Sequence, residues 1–373
     1  MTTSASASSA RRFRWGVFGT GAVSAKFVAG LVAAQGAEAS FVASRTLAKA
    51  RRFSAALGIP RAIEGYAEAA ASGGVDAIYV ATPPSEHAAH AKLCIDAGIP
   101  VLVEKPFAVT AAQATDIAAT ARAKSVFAME AMWTRFLPAA RAMKERLAER
   151  SVGDVRLVSG SFGTSQVPDA ANGMFDPSLA GGAVAHLAPY PLSLAQWLFG
   201  SPTLTHALGS IGSTGVIEEA AFQLLYPNGV VGSFFTSIRA WAADDFNVMG
   251  TDGMIAFDGS IVRPNGLRVS RQAPIHAEET DLRWRARVRQ SAIVHRVAQA
   301  TGRSSRSRSV RLRFPYAGNG YHYEADEVRN CVLAGNQESA TMPLSDSIAV
   351  AATADRINEA IMASAGRARS RAA

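Results

Sequence analysis

A short glycine-rich segment near the amino end has the residue types and spacing of a phosphate-binding turn. The segment consists of Gly19, Thr20, Gly21, Ala22, Val23 and Ser24, which is a GxGxxS pattern. The first glycine permits a tight turn, the second lets a pyrophosphate approach the backbone, and a small last residue lets a helix pack closely on a strand. The free N–H groups at the start of that helix attract an anion. The pattern therefore predicts dinucleotide binding by residues 19–23.

A second set of residues bears on which dinucleotide this turn binds. Sites for NAD usually place an Asp or Glu at the end of the second strand, where it binds the ribose 2′-hydroxyl. This chain has Ser44 and Arg45 at that point, with Lys49 behind them. These side chains can donate hydrogen bonds to a 2′-phosphate, which a carboxylate would repel. We therefore expect NADP rather than NAD, the alternative being that the basic residues form a solvated helix start.

A lysine follows the fifth apolar run, in the sequence Glu104-Lys105-Pro106. A residue at the carboxyl end of a strand in a nucleotide-binding sheet faces the cleft that holds the nicotinamide ring. The alternative is an ordinary solvated surface lysine. Because Pro106 restricts the chain beside it, we expect the Lys105 ammonium group to stay in the cleft.

The elements that must position these residues alternate between short apolar strands and alanine-rich helices over residues 11–130. The predicted strands are Phe13–Phe18, Ala39–Ala43, Arg61–Ile63, Asp76–Ala81, Val101–Val103 and Val126–Met129. Strands that are apolar throughout are typical of a parallel sheet covered by helices on both faces. The pattern predicts an α/β fold whose first domain is an NAD(P)-binding Rossmann domain.

Longer alternating runs begin near residue 131 and predict an α+β domain with a large, mostly antiparallel open sheet over residues 131–363. The predicted strands are Val155–Gln166, Thr203–Gly212, Glu219–Tyr226, Val230–Arg239, Phe246–Met249 and Met254–Phe257. One helix over 180–199 would lie on this sheet, and helices over 321–333 and 344–363 would close the domain. We expect residues 272–309 to form a surface insertion, and residues 1–10 and 364–373 to be disordered tails.

The composition limits the other classes of function. The chain has 373 residues, of which 18% are charged, so it is long enough for two domains and is not a disordered chain. No apolar run reaches the roughly 18 residues of a membrane span. Cys94 and Cys331 show neither metal-site nor disulfide spacing, which favours a cytoplasmic protein without a metal site.

Arginines crowd between Arg283 and Arg313 and account for much of the net charge of +8. A nucleic-acid surface is one interpretation of this crowd. Because aromatic residues are scarce among the arginines, we favour a solvated arginine-rich loop and expect no nucleic-acid partner.

Six segments together make the chain resemble a known family. They are GTGAVSAKF (19–27), ASR (43–45), TPPSEH (82–87), EKP (104–106), EAMWTRF (130–136) and MPLSDS (342–347). From about residue 12 to residue 363 the chain resembles the glucose–fructose oxidoreductase/inositol dehydrogenase family (Gfo/Idh/MocA), and the last two segments resemble its branch of dimeric dihydrodiol dehydrogenases and NADP-dependent xylose dehydrogenases. The resemblance implies NAD(P) in a cleft between two domains. We then expect Thr82, Pro83, His87 and Glu104 beside the cofactor, and Lys105 in contact with both cofactor and substrate.

The resemblance also implies a second acid–base element, an aspartate followed four residues later by His or Tyr. The matching segment is 181–191, where Tyr190 is in place but His186 stands at the position of the aspartate. The spacing of four predicts that the two side chains share one helical face. A histidine can bind a hydroxyl and move a proton near neutral pH, but it supplies no fixed negative charge.

The function implied is hydride transfer between NADP and a polyol, sugar or cyclic diol, or the matching carbonyl compound. Tyr190 would exchange the proton if Lys105 depresses its pKa, or a desolvated Lys105 would exchange it directly. Trp133, Arg135 and Phe162 are candidate walls of the substrate pocket, core packing being the alternative. The family resemblance and the one-sided sheet suggest a homodimer with the sheets face to face.

Three other functions remain open, and the missing aspartate motivates the first of them. One is a catalytically altered or inactive NADP-binding sensor or regulator, and another is a reductase of a specialised biosynthetic route. An RNA-associated protein that uses the arginine crowd is a third.

Overall fold

The chain folds around two β-sheets, one in each half of the sequence. The computed structural model describes residues 11–272, 291–292, 296 and 308–372. The predicted tail 1–10 and most of the predicted insertion 272–309 lie outside the described residues.

The first sheet is parallel throughout. Its strands are β1 (Phe13–Phe18), β2 (Ala37–Ser44), β3 (Arg61–Glu64), β4 (Ala77–Val80), β5 (Val101–Glu104) and β6 (Ala128–Ala131). They lie in the order β3-β2-β1-β4-β5-β6. This is the strand order of a Rossmann fold, in which ligands bind at the carboxyl ends of the strands where the order reverses, between β1 and β4. The predicted fold of the first domain is confirmed.

Helices cover both faces of this sheet. They are α1 (Ala22–Gly30), α2 (Leu47–Leu57), α3 (Tyr66–Ala71), α4 (His87–Asp96) and α5 (Ala111–Lys124). Every residue of β4, β5 and β6 is buried, which explains why these strands do not alternate between apolar and exposed polar residues. The glycine-rich turn, the second-strand end and the Glu104-Lys105-Pro106 segment therefore come to one edge of the sheet.

The second sheet is mostly antiparallel. Its strands are β7 (Val155–Gly163), β8 (Leu204–Ile211), β9 (Ile217–Leu225), β10 (Val231–Ser237), β11 (Phe246–Gly250), β12 (Gly253–Ser260), β13 (Arg263–Arg271) and β14 (Arg308–Arg313). Their order is β14-β13-β12-β11-β7-β10-β9-β8, and β7 and β10 form the parallel pair. Buried and exposed residues alternate along β9 and β10, as in a sheet with one face on the core. The predicted α+β domain is confirmed, although the sequence did not reveal β13 or β14.

The remaining helices are α6 (Pro138–Ala148), α7 (Ala183–His186), α8 (Pro189–Phe199), α9 (His322–Leu333) and α10 (Leu344–Ala372). The prediction of one helix over 180–199 is wrong, because the chain turns at Leu187 and Ala188 before α8 begins at Pro189. A proline is favourable at the start of a helix and disrupts its interior. The last helix, α10, includes residues 364–372 of the predicted tail. No helix in the described ranges is long and apolar enough to cross a membrane.

Candidate functional site

The glycine-rich turn joins β1 to α1 and has the geometry that a pyrophosphate needs. Gly19 has a φ of +102°, and a Cβ atom there would lie 2.4 Å from the carbonyl oxygen of Ala81. A side chain is therefore excluded at Gly19. Gly21 precedes α1, and a Cβ atom there would have no neighbour within 4 Å among the described residues. The first N–H groups of α1, at Ala22 and Val23, thus face open space that suits an anion.

A cleft of about 350 Å³ opens from this turn. The predicted cofactor residues that line it are Gly19, Thr20, Gly21, Ser44, Arg45, Lys49, Thr82 and Pro83. Arg45 and Lys49 are exposed, and neither forms a salt bridge within the described part of the chain. No carboxylate lines the described part of the cleft. The residues present therefore fit a dinucleotide, and the free cations fit a phosphate group.

Tyr66 also lines the cleft and was not predicted to do so. It begins α3 directly after β3, and β3 pairs with β2, which ends at Ser44. Its ring contacts the ring of His90, with the two centroids 4.3 Å apart. The signal for Tyr66 in the sequence is its place just after β3, because parallel strands end at the same edge of the sheet and β3 ends beside β2.

His87 joins the cofactor cleft to the loop that carries Lys105. Its side chain is buried, with Nδ1 2.7 Å from the carbonyl oxygen of Pro106 and Nε2 2.9 Å from that of Thr82. Burial lowers the pKa of His87 to about 4, so the ring is neutral near pH 7 and its one N–H donates to one of these oxygens. We expected His87 beside the cofactor, but its described contacts hold the two loops together.

Glu104 ends β5 and is buried beneath Lys105. Its Oε1 accepts a hydrogen bond of 2.5 Å from the Tyr79 hydroxyl, and its Oε2 accepts one of 3.1 Å from the Lys105 backbone N–H. Burial raises the pKa of Glu104, and the Lys105 ammonium opposes that rise. Through its two described hydrogen bonds, the Glu104 side chain therefore links the backbone of Lys105 to Tyr79.

The three predicted catalytic residues come together at the carboxyl end of β5. The Lys105 ammonium donates a hydrogen bond of 2.8 Å to the backbone carbonyl oxygen of His186. The same nitrogen lies 5.0 Å from the centre of the Tyr190 ring. Burial lowers the pKa of Lys105, while the charges of Glu104 and Glu130 raise it. A lysine with a lowered pKa can accept a proton from an alcohol.

Tyr190 lies at the start of α8 and is buried. Burial, followed by the negative charge of Glu104, raises the pKa of its phenol. This differs from the expectation that Lys105 depresses it. The phenol therefore keeps its proton near neutral pH and can donate a hydrogen bond to a substrate oxygen.

His186 ends α7, so it and Tyr190 belong to different helices rather than to one helical face. Its Nε2 is buried and has no hydrogen-bond partner among the described residues. Burial, with the positive charge of Lys105, lowers the pKa of His186 to about 3. The expectation that it moves protons near neutral pH is therefore not supported. The ring instead offers a neutral, unpaired hydrogen-bonding nitrogen.

The three candidate walls of the substrate pocket differ in placement. The rings of Phe162 and Tyr190 pack edge to face, with their centroids 5.4 Å apart. Trp133 stacks on Tyr321 at 4.7 Å. Both lie with Tyr190 in one apolar cluster.

Arg135 is placed differently, because it lies in the interior. Its side chain is fully buried, with a 2.6 Å ion pair to Asp346 and hydrogen bonds of 2.6 and 2.8 Å to Ser193. A guanidinium without such partners would be costly to bury. The structure therefore corrects the placement of Arg135 as a pocket wall and favours the packing alternative.

The described residues contain no group of three or more side chains suited to hold a metal ion. The arrangement instead combines a dinucleotide cleft with a lysine, a protonated phenol and a neutral imidazole at the carboxyl end of β5, the strand next to β4, after which Ala81, Thr82 and Pro83 line the cleft. Such a set can bind an alcohol or carbonyl oxygen and exchange its proton.

Family models match both halves of the chain. The model described as the oxidoreductase family with an NAD-binding Rossmann fold (GFO_IDH_MocA) matches residues 13–132. The model of the GFO/IDH/MocA C-terminal domain matches residues 140–256.

Similar proteins share most of their length with this chain. Trans-1,2-dihydrobenzene-1,2-diol dehydrogenase of Sus scrofa is 33% identical over 355 residues, covering 93% of this chain and 96% of the relative. The enzyme of the same name from Homo sapiens is 31% identical over 357 residues, with the same coverage.

Solved structures share the fold. The 3-ketoreductase KijD10 from Actinomadura kijaniata, in complex with NADP and TDP-benzene, has a TM-score of 0.77 at 21% identity and covers 94% of this chain and 98% of its own. The aldose-aldose oxidoreductase from Caulobacter crescentus has a TM-score of 0.78 at 20% identity, and it covers 95% of this chain and 98% of its own.

Proposed function

The chain belongs to the Gfo/Idh/MocA family of oxidoreductases, and we propose that it is an NADP-dependent dehydrogenase or reductase of a polyol, sugar or cyclic diol. The observation that carries this proposal is the convergence of Lys105, Tyr190 and His186 at the carboxyl end of β5, beside the strand whose end lines the dinucleotide cleft. Two relatives named trans-1,2-dihydrobenzene-1,2-diol dehydrogenase support a cyclic diol as the substrate class.

The residues at the end of β2 support NADP as the cofactor. Ser44, Arg45 and Lys49 line the cleft, and a 2′-phosphate would supply the exposed Arg45 and Lys49 with an anionic partner. Arg45 can bind such a phosphate through two parallel hydrogen bonds.

In the proposed reaction bound NADP supplies or accepts the hydride, and the protein handles the oxygen and its proton. Lys105, with its lowered pKa, is the base that takes the alcohol proton during oxidation. The Tyr190 phenol, with its raised pKa, stays protonated and donates a hydrogen bond to the same oxygen. The bond from Lys105 to the His186 carbonyl fixes the direction from which the amine approaches.

We assign the neutral His186 ring to a second hydroxyl of the substrate. Its Nε2 is buried and unpaired among the described residues, so a hydroxyl at that point would remove the cost of an unsatisfied polar atom. Nearby aromatic rings of Phe162 and Trp133 suit the flat face of a ring. A vicinal diol on a ring satisfies both requirements.

The test is reduction of NADP by the purified protein with a panel of cyclic trans-diols, open-chain polyols and sugars, each compared with the analogue that lacks one hydroxyl. We expect turnover with a diol and a rise in KM for the analogue. NADPH binding without turnover on any member would favour the second candidate, a sensor or regulator. That candidate is motivated by His186, which provides no fixed negative charge.

The quaternary structure and location are also proposals. The outer face of β8 and β10 carries exposed apolar side chains, of which Leu208 is 70% and Phe235 is 52% exposed. Apolar patches of this kind on a sheet mark an interface, so we propose a homodimer through this face. Two free, buried cysteines support a reducing, cytoplasmic location.

A further inference from the structure

The fully buried Arg135 side chain bonds to two segments that are distant from it in the sequence. Its Nε and one terminal nitrogen donate hydrogen bonds of 2.8 and 2.6 Å to the Oγ and the backbone carbonyl oxygen of Ser193, in α8. The other terminal nitrogen donates bonds of 2.6 Å to the Asp346 carboxylate, in the first turn of α10, and 3.2 Å to the Thr341 carbonyl oxygen. Each guanidinium nitrogen therefore has a partner, as the burial of a charge requires.

The first turn of α8, which carries Tyr190, has little support of its own. No side chain among the described residues caps the start of this helix, and such a cap typically stabilises a helix by about 0.5–2 kcal/mol. Pro189 and Pro191 in the same turn have no N–H group to donate. The position of Tyr190 therefore depends on what packs against the side of the helix.

Arg135 holds the face of α8 that carries Tyr190. The spacing of Tyr190, Ser193 and Trp197 by three and four residues places them on one face of the helix. Besides its two bonds to Ser193, the Arg135 guanidinium lies over the Trp197 ring, 5.8 Å from its centre. The arginine thus contacts this face about one and two turns after Tyr190.

The backbone of Arg135 belongs to the segment that leaves the Rossmann sheet. It lies in the short helical turn Trp133–Phe136, which begins two residues after the end of β6. Strand β6 pairs with β5, and Lys105 directly follows β5. Trp133, in the same turn, lies with Tyr190 in one apolar cluster. Arg135 therefore connects the helix of the catalytic tyrosine to the strand beside the one that leads to the catalytic lysine.

We propose that Arg135 is a positioning residue, which by holding Ser193 keeps the Tyr190 phenol beside Lys105, where both meet the substrate oxygen. The proposal rests on the proposed dehydrogenase function. Arg135 is fully buried and acts through α8 rather than by contact with the substrate. A misplacement of a catalytic group by about 1 Å can lower a rate about 10²-fold. The loss of two short hydrogen bonds one turn from Tyr190 is therefore sufficient to affect the reaction.

The test is a double-mutant cycle that measures NADPH formation in single turnovers, with each rate expressed per NADPH-binding site so that a misfolded fraction does not count. Arg135→Lys keeps a cation for Asp346 but lacks the planar fork that bonds twice to Ser193. Ser193→Ala removes one of these bonds and is the milder change. In the otherwise wild-type protein we expect the maximal rate to fall about 10- to 100-fold in Arg135→Lys and by a smaller factor in Ser193→Ala. The substrate concentration at half-maximal rate should change little.

Each change is then repeated in the Tyr190→Phe background, which loses only the phenol oxygen and keeps Lys105 as the base. A residue that acts through this phenol has nothing left to position there. Arg135→Lys and Ser193→Ala should therefore cause a further loss of about twofold or less in this background.

Lys144→Met is the matched control, because Lys144 is the second cation over the Trp197 ring, 4.4 Å from its centre, and has no described bond to Ser193. It should keep the wild-type rate. Losses of equal size in both backgrounds would show that Arg135 supports the protein as a whole and would overturn its positioning role. Wild-type rates in Arg135→Lys and Ser193→Ala would overturn it too, and either result leaves the dehydrogenase function standing. A wild-type protein without turnover on any diol or sugar would overturn both proposals.

Discussion

The ammonium nitrogen of Lys105 lies 2.8 Å from the backbone carbonyl oxygen of His186, and it donates a hydrogen bond to that oxygen. The bond joins the end of a Rossmann strand to the last residue of a helix that lies on the second sheet. Because the acceptor belongs to the main chain, the placement of the lysine does not depend on which side chain occupies position 186. The same bond could therefore form with His186 or with the aspartate that the family resemblance implies at that position.

Lys105→Met should abolish turnover and leave NADPH affinity unchanged, because the variant keeps the aliphatic stem but loses the base. Removing a positioned acid or base reduces the rate by about 10²- to 10⁴-fold. Steady-state rates and NADPH fluorescence titration would measure the two quantities. Lys92→Met is the control, since Lys92 is paired with Asp116 on the surface. Wild-type rates in Lys105→Met would remove the lysine from the mechanism.

Much of the first domain could be predicted from sequence because its signals are local. The central strands β4 and β5 are mostly apolar and fully buried, and the turn at Gly19 follows β1 directly. The antiparallel strands β8 to β12 were predicted from alternation and confirmed. In contrast, β13 and β14 carry arginines on a partly exposed sheet edge, so their composition resembles that of a solvated loop.

The site was harder to predict because its properties arise from burial. The spacing of His186 and Tyr190 suggested one helix, but Pro189 begins a new one. The pKa values of Tyr190 and His186 depend on how deeply each side chain is enclosed by segments distant in sequence. Arg135 was a candidate wall of the substrate pocket in the sequence. Its partners Asp346 and Ser193 are distant in sequence, and the fold brings them to it.

Ser44→Asp combined with Arg45→Ala should shift the cofactor preference toward NAD. The new carboxylate can bind a ribose 2′-hydroxyl and repels a 2′-phosphate. The ratio of kcat/KM for NADP to that for NAD should fall by on the order of a hundredfold, since one lost charge-assisted hydrogen bond contributes about 1.5–3 kcal/mol. Arg51→Ala, on the helix α2 that follows these two residues and outside the described cleft lining, should leave the ratio unchanged. An unaltered ratio in the double variant would contradict the NADP assignment.

The neutral His87 should make the protein lose stability in acid. Its pKa is about 4 in the folded protein against 6.5 for an ordinary histidine. As the pH falls from about 6.5 to about 4, the unfolded chain binds a proton that the folded chain does not, so the free energy of unfolding decreases. The contribution of neutral His87 to the free energy of unfolding is about 3 kcal/mol. It is present in full above the pKa of the unfolded chain and is lost as the pH falls to about 4.

His87→Gln removes this titration, so its unfolding free energy should fall less steeply over the same pH range. Urea unfolding at about pH 7 and about pH 4 would measure the difference. Equal slopes in the wild-type and variant proteins would show that the protein gains no stability from keeping His87 neutral.

The outer face of the second sheet should hold two copies of the chain together. Leu208 and Phe235 line an open groove on β8 and β10, and both are largely exposed in the single chain. A pair of such faces related by a two-fold axis would cover the same residues on both partners. Leu208→Glu with Phe235→Glu should therefore yield a monomer in light scattering after gel filtration, because the interface would bury four unpaired carboxylates.

Val32→Glu is the control, since Val32 is 91% exposed on the Rossmann domain and its change should leave the dimer intact. A monomeric wild-type protein at assay concentration would contradict the proposed interface, and turnover by the monomeric variant would place the site within one chain.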